Sequence, residues 1–271
     1  MKAHYLLICA ILLGACTTPA PVDKPAPARP DTSDIGVLWV EHSAEYQAIS
    51  AQVYAEARRD LERLLTNTKW TALPGVEDVE GKPPAVILDV DETVVSNAAY
   101  QETLTRAPYT SFGHFDWMRR NEAVPVRGAA ETVAAARAAG VEVFFVTNRA
   151  CEVFAGIEGE CPYEQVTIED LREVGIETDA AHVLMAWEQP DWSKEKLHRR
   201  LFIAKTHRVI MLFGDDYGDF VHCTRAKPSP PCTVPATRAS RHAAVSEYAD
   251  FWGNGWYILP NPMHGSWTSI R

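Results

Sequence analysis

Positive charge is scarce in this chain. Across 271 residues, 26 Lys and Arg face 36 Asp and Glu, a formal net charge of -10. Proteins that track a nucleic-acid polymer neutralise its phosphates with surplus cations, so that class is excluded, whereas a small anion remains an acceptable ligand wherever cations gather locally. Familiar metal-binding patterns are absent as well. None of the nine His falls in an H-x-x-x-H or H-E-x-x-H spacing, and no two of the six Cys form C-x-x-C, which leaves zinc the weaker reading of the thiols. The apolar run Tyr5 to Leu13 has nine residues, too few for a bilayer-spanning helix of ~20.

That run follows Lys2 and has the order of an export signal, charge then hydrophobe. Leu13-Gly14-Ala15-Cys16 after it resembles a bacterial lipobox, with residues 1–15 as the signal and Cys16 as the lipidated residue. The expected location is the bacterial outer membrane, facing the periplasm or the surface. Residues 16–35, with Pro at 19, 21, 25, 27 and 30, read as an extended tether that cannot pack a core. Four Cys remain beyond it. In an oxidising compartment short-range bridges Cys151–Cys161 and Cys223–Cys232 are expected, although three pairings are formally possible.

The rest, 36–271, reads as one domain. Residues 43–65 place Tyr46, Ile49, Val53, Ala57, Leu61 and Leu64 at helical spacing. Further on, "RGAAETVAAARAAG" reads as a helix stopped by Gly140, Thr167 as the cap of "TIEDLREV", and Ser193 as the cap of "SKEKLHRRLFIAK". Between them lie the strand-like runs "AVILD", "VEVFFVTN", "HVLMA" and "RVIMLFGDD". Such alternation implies an α/β fold, a Rossmann-like three-layer sandwich around a central parallel sheet, with ligands gathered beyond the carboxyl ends of the strands.

The chemistry collects at those ends. "AVILDVDET" runs four apolar residues into Asp89 and Asp91, which share one face of an extended segment and repel each other. A second strand ends in Thr147, Asn148 and Arg149, and a later one in Asp215, with Asp219 four residues beyond. Carboxylates without His or Cys are hard oxygen ligands suited to Mg²⁺, which commonly completes its shell with phosphate oxygens. Thr147 can donate to such oxygens. Lys196 can neutralise them, with Lys194 as its rival.

"DVDET", "VTNR", "KLHRR" and "GDDYGDF", in this order, resemble the four motifs of the haloacid dehalogenase superfamily, specifically its class C acid phosphatases. The likeness runs from about residue 37 to 267. It implies Mg²⁺-dependent hydrolysis of phosphomonoesters, nucleoside monophosphates among them, with Asp89 as nucleophile and Asp91 as acid and base. Mg²⁺ would be held by Asp89, the Asp91 main-chain oxygen, Asp215 and Asp219, and phosphate by Thr147, Asn148 and Lys196. Lys196 is preferred because the family's Lys precedes an Arg by three positions, as here Arg199. Protonation of Asp91 is expected to be helped by the crowding of acids around it.

The resemblance also implies a small helical cap, contributed by about 37–66 and 96–126. Phe112, Phe115 and Trp117, with Tyr109, are the candidates for stacking on the leaving group, though they equally suit the cap's own core. Arg149 and His264 complete the specificity candidates; His264 stands where the family often has Tyr, which makes contact there sensitive to pH. A homodimer is left open. A binding lipoprotein on the same fold, or a phosphotransferase, are the competing functions.

Overall fold

The computed structural model describes residues 32–104 and 108–270. The signal, Cys16 and most of the tether lie outside the described residues. Elements follow in the order α1 (Thr32–His42), α2 (Ala44–Thr66), β1 (Pro84–Leu88), β2 (Val95–Ser96), α3 (Ala98–Thr103), α4 (Ser111–Met118), β3 (Val124–Pro125) and α5 (Ala129–Ala138). After these come β4 (Glu142–Ala150), α6 (Pro162–Glu173), β5 (Val183–Ala186), α7 (Leu197–Ala204), β6 (Arg208–Gly214), α8 (Arg238–Glu247) and β7 (Trp256–Ile258). α1 begins at Thr32, inside the stretch read as tether. No described helix is long and apolar enough to cross a membrane.

Five parallel strands form the central sheet in the order β5-β4-β1-β6-β7. Both faces are apolar, as expected for a parallel sheet covered on both sides. Val86 and Leu88 of β1 face one core with Val143, Phe145, Met211 and Phe213; Ala85 and Ile87 face the other with Phe144, Val146 and Leu212. The first core is closed by α2, α5 and α6 through Tyr54, Ala57, Leu64, Val133, Ala136 and Leu171. The second is closed by Ile203 and Ala204 of α7 and by Tyr217, Phe220 and Val221. Each large apolar side chain buried this way contributes roughly 1.5–3 kcal/mol relative to exposure.

Local signals explain most boundaries. Ser43 caps α2 by accepting from the Tyr46 N–H at 3.0 Å. α5 ends as expected at Gly140, whose φ of +74° is open to glycine at little cost. Three expectations fail. α6 starts five residues before Thr167, at Pro162, a residue suited to the first helical position. Thr167 is then interior, its hydroxyl donating to the Tyr163 carbonyl at 2.7 Å. α7 starts at Leu197 rather than after Ser193, whose hydroxyl instead accepts from the Glu195 N–H. In α2 the buried face is rotated: Ile49 is exposed, while Tyr54 is buried and donates to the Thr93 carbonyl at 2.6 Å.

α2 therefore belongs to the sheet core, so 37–66 is not cap throughout. α1 and the start of α2 pack with the insertion, Val37, Val40 and Tyr46 meeting Ala98 and Met263. Both disulfides pair as expected, Cys151–Cys161 and Cys223–Cys232.

Candidate active site

Asp89 leaves β1 at the edge where β1 and β6 still pair, its N–H donating to the Phe213 carbonyl at 3.0 Å. The chain then turns sharply at Glu92, φ +58°, stitched by N–H bonds of Val94 and Val95 to the Val90 carbonyl. β6, the neighbour of β1, ends at Gly214 and delivers Asp215 beside Asp89. A short turn, Tyr217–Asp219, folds Asp219 back, its carboxylate accepting from the Asp216 N–H at 2.9 Å. Asp89, Asp215 and Asp219 thereby place carboxylate oxygens all within 4.8 Å of one another.

Lys196 enters this cluster. It stands at the cap position before α7, buried, with its ammonium 2.6 Å from Asp89 and 2.6 Å from Asp219. Burial works against its charge, but the two carboxylates outweigh it and raise its pKa. Burial, relieved in part by Lys196 and aggravated by Asp219 and Asp91, pushes Asp89 up to about 7. Asp215 is driven well above the usual carboxylate range by burial and by Asp219 and Asp89, although Asn261 donates to it at 2.7 Å and Thr93 at 3.2 Å. One ammonium leaves such a set of three acids short of positive charge.

A divalent cation fits it. All three donors are hard carboxylate oxygens, and at the buried Asp89 Oδ1 the one donor among the described residues is the Lys196 ammonium, 2.6 Å away. Asp91 is handled differently. Arg149 forks onto it, Nε reaching both oxygens at 3.1 and 3.2 Å and Nη2 reaching Oδ1 at 2.8 Å, and Asn97 adds a bond of 2.9 Å. Burial alone would raise Asp91, but Arg149 and His114 outweigh it and hold the carboxyl well below the ordinary range. Crowding therefore does not keep Asp91 protonated in the free protein; it acts on Asp89 and Asp215.

Arg149 is itself anchored. Its Nη1 meets Asp170 at 2.5 Å and Thr167 at 3.2 Å, and its guanidinium lies 5.2 Å from the Tyr163 ring centre. Proposed as a specificity residue, it is fully buried and serves Asp91. Thr147 is buried with its hydroxyl accepting from the Arg149 N–H at 3.1 Å. Asn148 lines the cavity and gives its side-chain oxygen to Arg199 at 2.9 Å. Arg199 also grips the carbonyls of Thr147 and Ser193, so the Arg three residues after Lys196 fixes the end of β4.

Above the acids opens a cavity of about 360 Å³ lined by Asp89, Asp91, Asp215, Asp219, Asn148 and Arg149. Cap residues Gln101, Leu104, Tyr109 and His114 line it too, with His264 from the C-terminal segment. Phe112, Phe115 and Trp117 are not in its lining. Phe115 is buried against Phe154 and Tyr163 in the sheet core, Trp117 is half-buried on Tyr100, and Phe112 leans on Phe154 but stays exposed.

Sequence reading missed the polar seam beneath them. Tyr163 contacts His114 at 2.5 Å, His114 contacts Asn97 at 3.2 Å, and Asn97 donates to both Asp91 and Glu92. Burial lowers His114 to about 4, so it is neutral at pH 7 and charged only in acid, where it opposes protonation of Asp91. His264 lies 2.8 Å from Glu92, and this carboxylate outweighs burial to raise its pKa.

Residues 28–267 match the model of the HAD superfamily, subfamily IIIB (acid phosphatase). Among solved structures, the chain is similar to the class C acid phosphatase of Bacillus anthracis with tungstate bound, at 26% identity, TM-score 0.68 and 87% coverage of each chain. A second structure of the class C acid phosphatase from Bacillus anthracis aligns at 24% identity, TM-score 0.67 and 87% of each chain, a likeness of fold.

Proposed function

This chain belongs to the acid phosphatases of HAD superfamily subfamily IIIB, and from that premise we propose that it hydrolyses nucleoside 5'-monophosphates and related small monoesters through a phosphorylated Asp89, with Mg²⁺ as cofactor. The observation that carries the reading is Asp89 itself, at the floor of the cavity, ion-paired with Lys196 and within carboxylate reach of Asp215 and Asp219.

Lys196, the Thr147 hydroxyl and Asn148 hold the phosphoryl oxygens. Asp89 attacks phosphorus in line; its Oδ–P bond forms as the bond to the leaving oxygen breaks, and Asp91 gives that oxygen a proton. Asp91 then takes a proton from water, whose oxygen attacks the aspartyl phosphate, releasing phosphate and restoring Asp89. Arg149 keeps Asp91 ionised in the free protein, and a phosphate dianion bound beside it adds the negative charge that draws a proton onto it. An acidic optimum follows. Asp89, Asp215 and Asp219, with the Asp91 main-chain oxygen, would hold Mg²⁺, which supplies charge neutralisation for carboxylates and phosphate. Tyr109, Leu104 and His264 offer a half-apolar wall to a base.

Rapid quenching with ³²P-labelled adenosine 5'-monophosphate tests this. The label is expected on the peptide carrying Asp89, labile to hydroxylamine; rapid turnover with no labelled protein at any time point removes the covalent step. Leu13-Gly14-Ala15-Cys16 supports a lipid anchor at the outer membrane, read out by labelled palmitate incorporation that Cys16→Ser abolishes.

A further inference from the structure

Two cations line the cavity without a part in the reaction above. Lys194 and Arg225 share its wall with Asn148, Ser266 and the acid cluster. They come from separate segments: Lys194 from the connection between β5 and α7, Arg225 from the loop closed by Cys223–Cys232. Neither side chain donates a hydrogen bond to a described residue. The Lys194 ammonium lies 5.3 Å from the Trp187 ring centre. The Arg225 Nε, buried and without a hydrogen bond among the described residues, lies 3.7 Å from a Glu195 carboxylate oxygen.

The nearby acids are only partly turned to these cations. Glu195 accepts from the Cys223 N–H at 3.0 Å with one oxygen and faces Arg225 with the other. Asp216 accepts from Gly218 N–H, Ser266 N–H and the Ser266 hydroxyl. Burial and the charge of Arg225 both lower the Lys194 pKa, the mark of like charges held close. The Arg225 backbone is tied down, its carbonyl accepting from the Ala236 N–H at 2.9 Å just beyond the bridged loop. On a cavity wall otherwise lined by acids, two cations from separate segments, neither donating a hydrogen bond to a described residue, offer donors that an anionic group can take.

We propose that Lys194 and Arg225 form a subsite for a second anionic group of the substrate, a carboxylate or a further phosphate carried on the leaving group. The inference rests on the phosphatase reading of the cavity. Solvent screens both cations, so the second anion is expected to raise kcat/KM by only about tenfold.

The test compares phenyl phosphate with 4-carboxyphenyl phosphate, and adenosine 5'-monophosphate with adenosine 3',5'-bisphosphate, in the wild type and in Lys194→Gln/Arg225→Gln. A preference of about tenfold for the doubly anionic member of at least one pair is expected, lost in the double variant, and the pair that shows it tells carboxylate from phosphate. No preference in either pair, or one that survives the substitutions, overturns the subsite. If no ester is turned over, the phosphatase reading has failed instead. Calorimetric binding to Asp89→Asn then reads the subsite alone: tighter binding of the bisphosphate than the monophosphate, removed by adding the two Gln substitutions, upholds it, and equal binding overturns it.

Discussion

Replacing Arg149 by Lys keeps a positive charge but removes the fork that spans Asp91 and Asp170. Arg149 is buried, and its donors reach Asp91 at 2.8, 3.1 and 3.2 Å and Asp170 at 2.5 Å. A single ammonium on a shorter reach cannot hold both carboxylates in that geometry. At least one charge-assisted hydrogen bond to Asp91 is lost, about 1.5–3 kcal/mol, or roughly 10- to 100-fold if it appears in the step where Asp91 moves its proton. The assay is kcat across monoesters whose leaving groups grow steadily less acidic, from p-nitrophenyl through phenyl to alkyl phosphate. Nitrophenolate leaves with little help from an acid, so its rate should fall only a few-fold, while the alkyl ester should lose about 100-fold. Thermal unfolding of the variant separates this from misfolding. An equal loss along the whole series, with the fold intact, would show that Arg149 does not act through Asp91.

Other consequences are as direct. A Cβ at Gly214 would lie 2.3 Å from both Cβ and Oδ2 of Asp219, so Gly214→Ala should push Asp219 away from Lys196 and Asp89; Mg²⁺ titration of activity should show at least tenfold weaker dependence, and an unchanged titration would contradict the cluster. At the opposite end of the strands, His182 bonds Glu142 at 2.9 Å and Asp179 at 2.7 Å, and His207 bonds the same Glu142 at 2.6 Å. Burial disfavours the His182 charge, but Asp179 and Glu142 outweigh it and raise its folded-state pKa. Its stabilisation is therefore complete below the unfolded value of about 6.5 and is lost as pH rises through the folded one. The difference in melting temperature between wild type and His182→Gln should be widest near pH 5 and shrink towards pH 9; a constant difference would refute the charge interaction.

What could be read from the sequence was what its spacing encodes. β1, β4, β5 and β6 are apolar runs of strand length, and Asp89 and Asp215, just past β1 and β6, with Thr147 three residues before the end of β4, fall where a parallel sheet presents its ligand edge. Spacing alone leaves Lys194 and Lys196 as rivals; the family resemblance prefers Lys196, three positions before Arg199, and the structure puts Lys196 on Asp89. Boundaries were lost where two signals competed: Thr167 looks like a cap, yet Pro162 starts the helix earlier and leaves Thr167 inside. The rotated face of α2 depends on Tyr54 finding the Thr93 carbonyl, a partner 39 residues away. Phe112, Phe115 and Trp117 carry no mark to tell a stacking ring from a core ring. The anchoring of Arg149 by Asp170, and the seam from Tyr163 through His114 and Asn97 to Asp91, join separate segments through single polar side chains, which no local pattern announces.

The most direct measurement is turnover of p-nitrophenyl phosphate by protein stripped with EDTA, before and after Mg²⁺ is returned, beside Asp89→Asn under the same conditions. Activity should vanish on stripping, return with the cation, and stay at background in Asp89→Asn. Full turnover by the stripped protein, or by Asp89→Asn, would contradict a site in which converging carboxylates hold a cation and Asp89 receives the phosphoryl group.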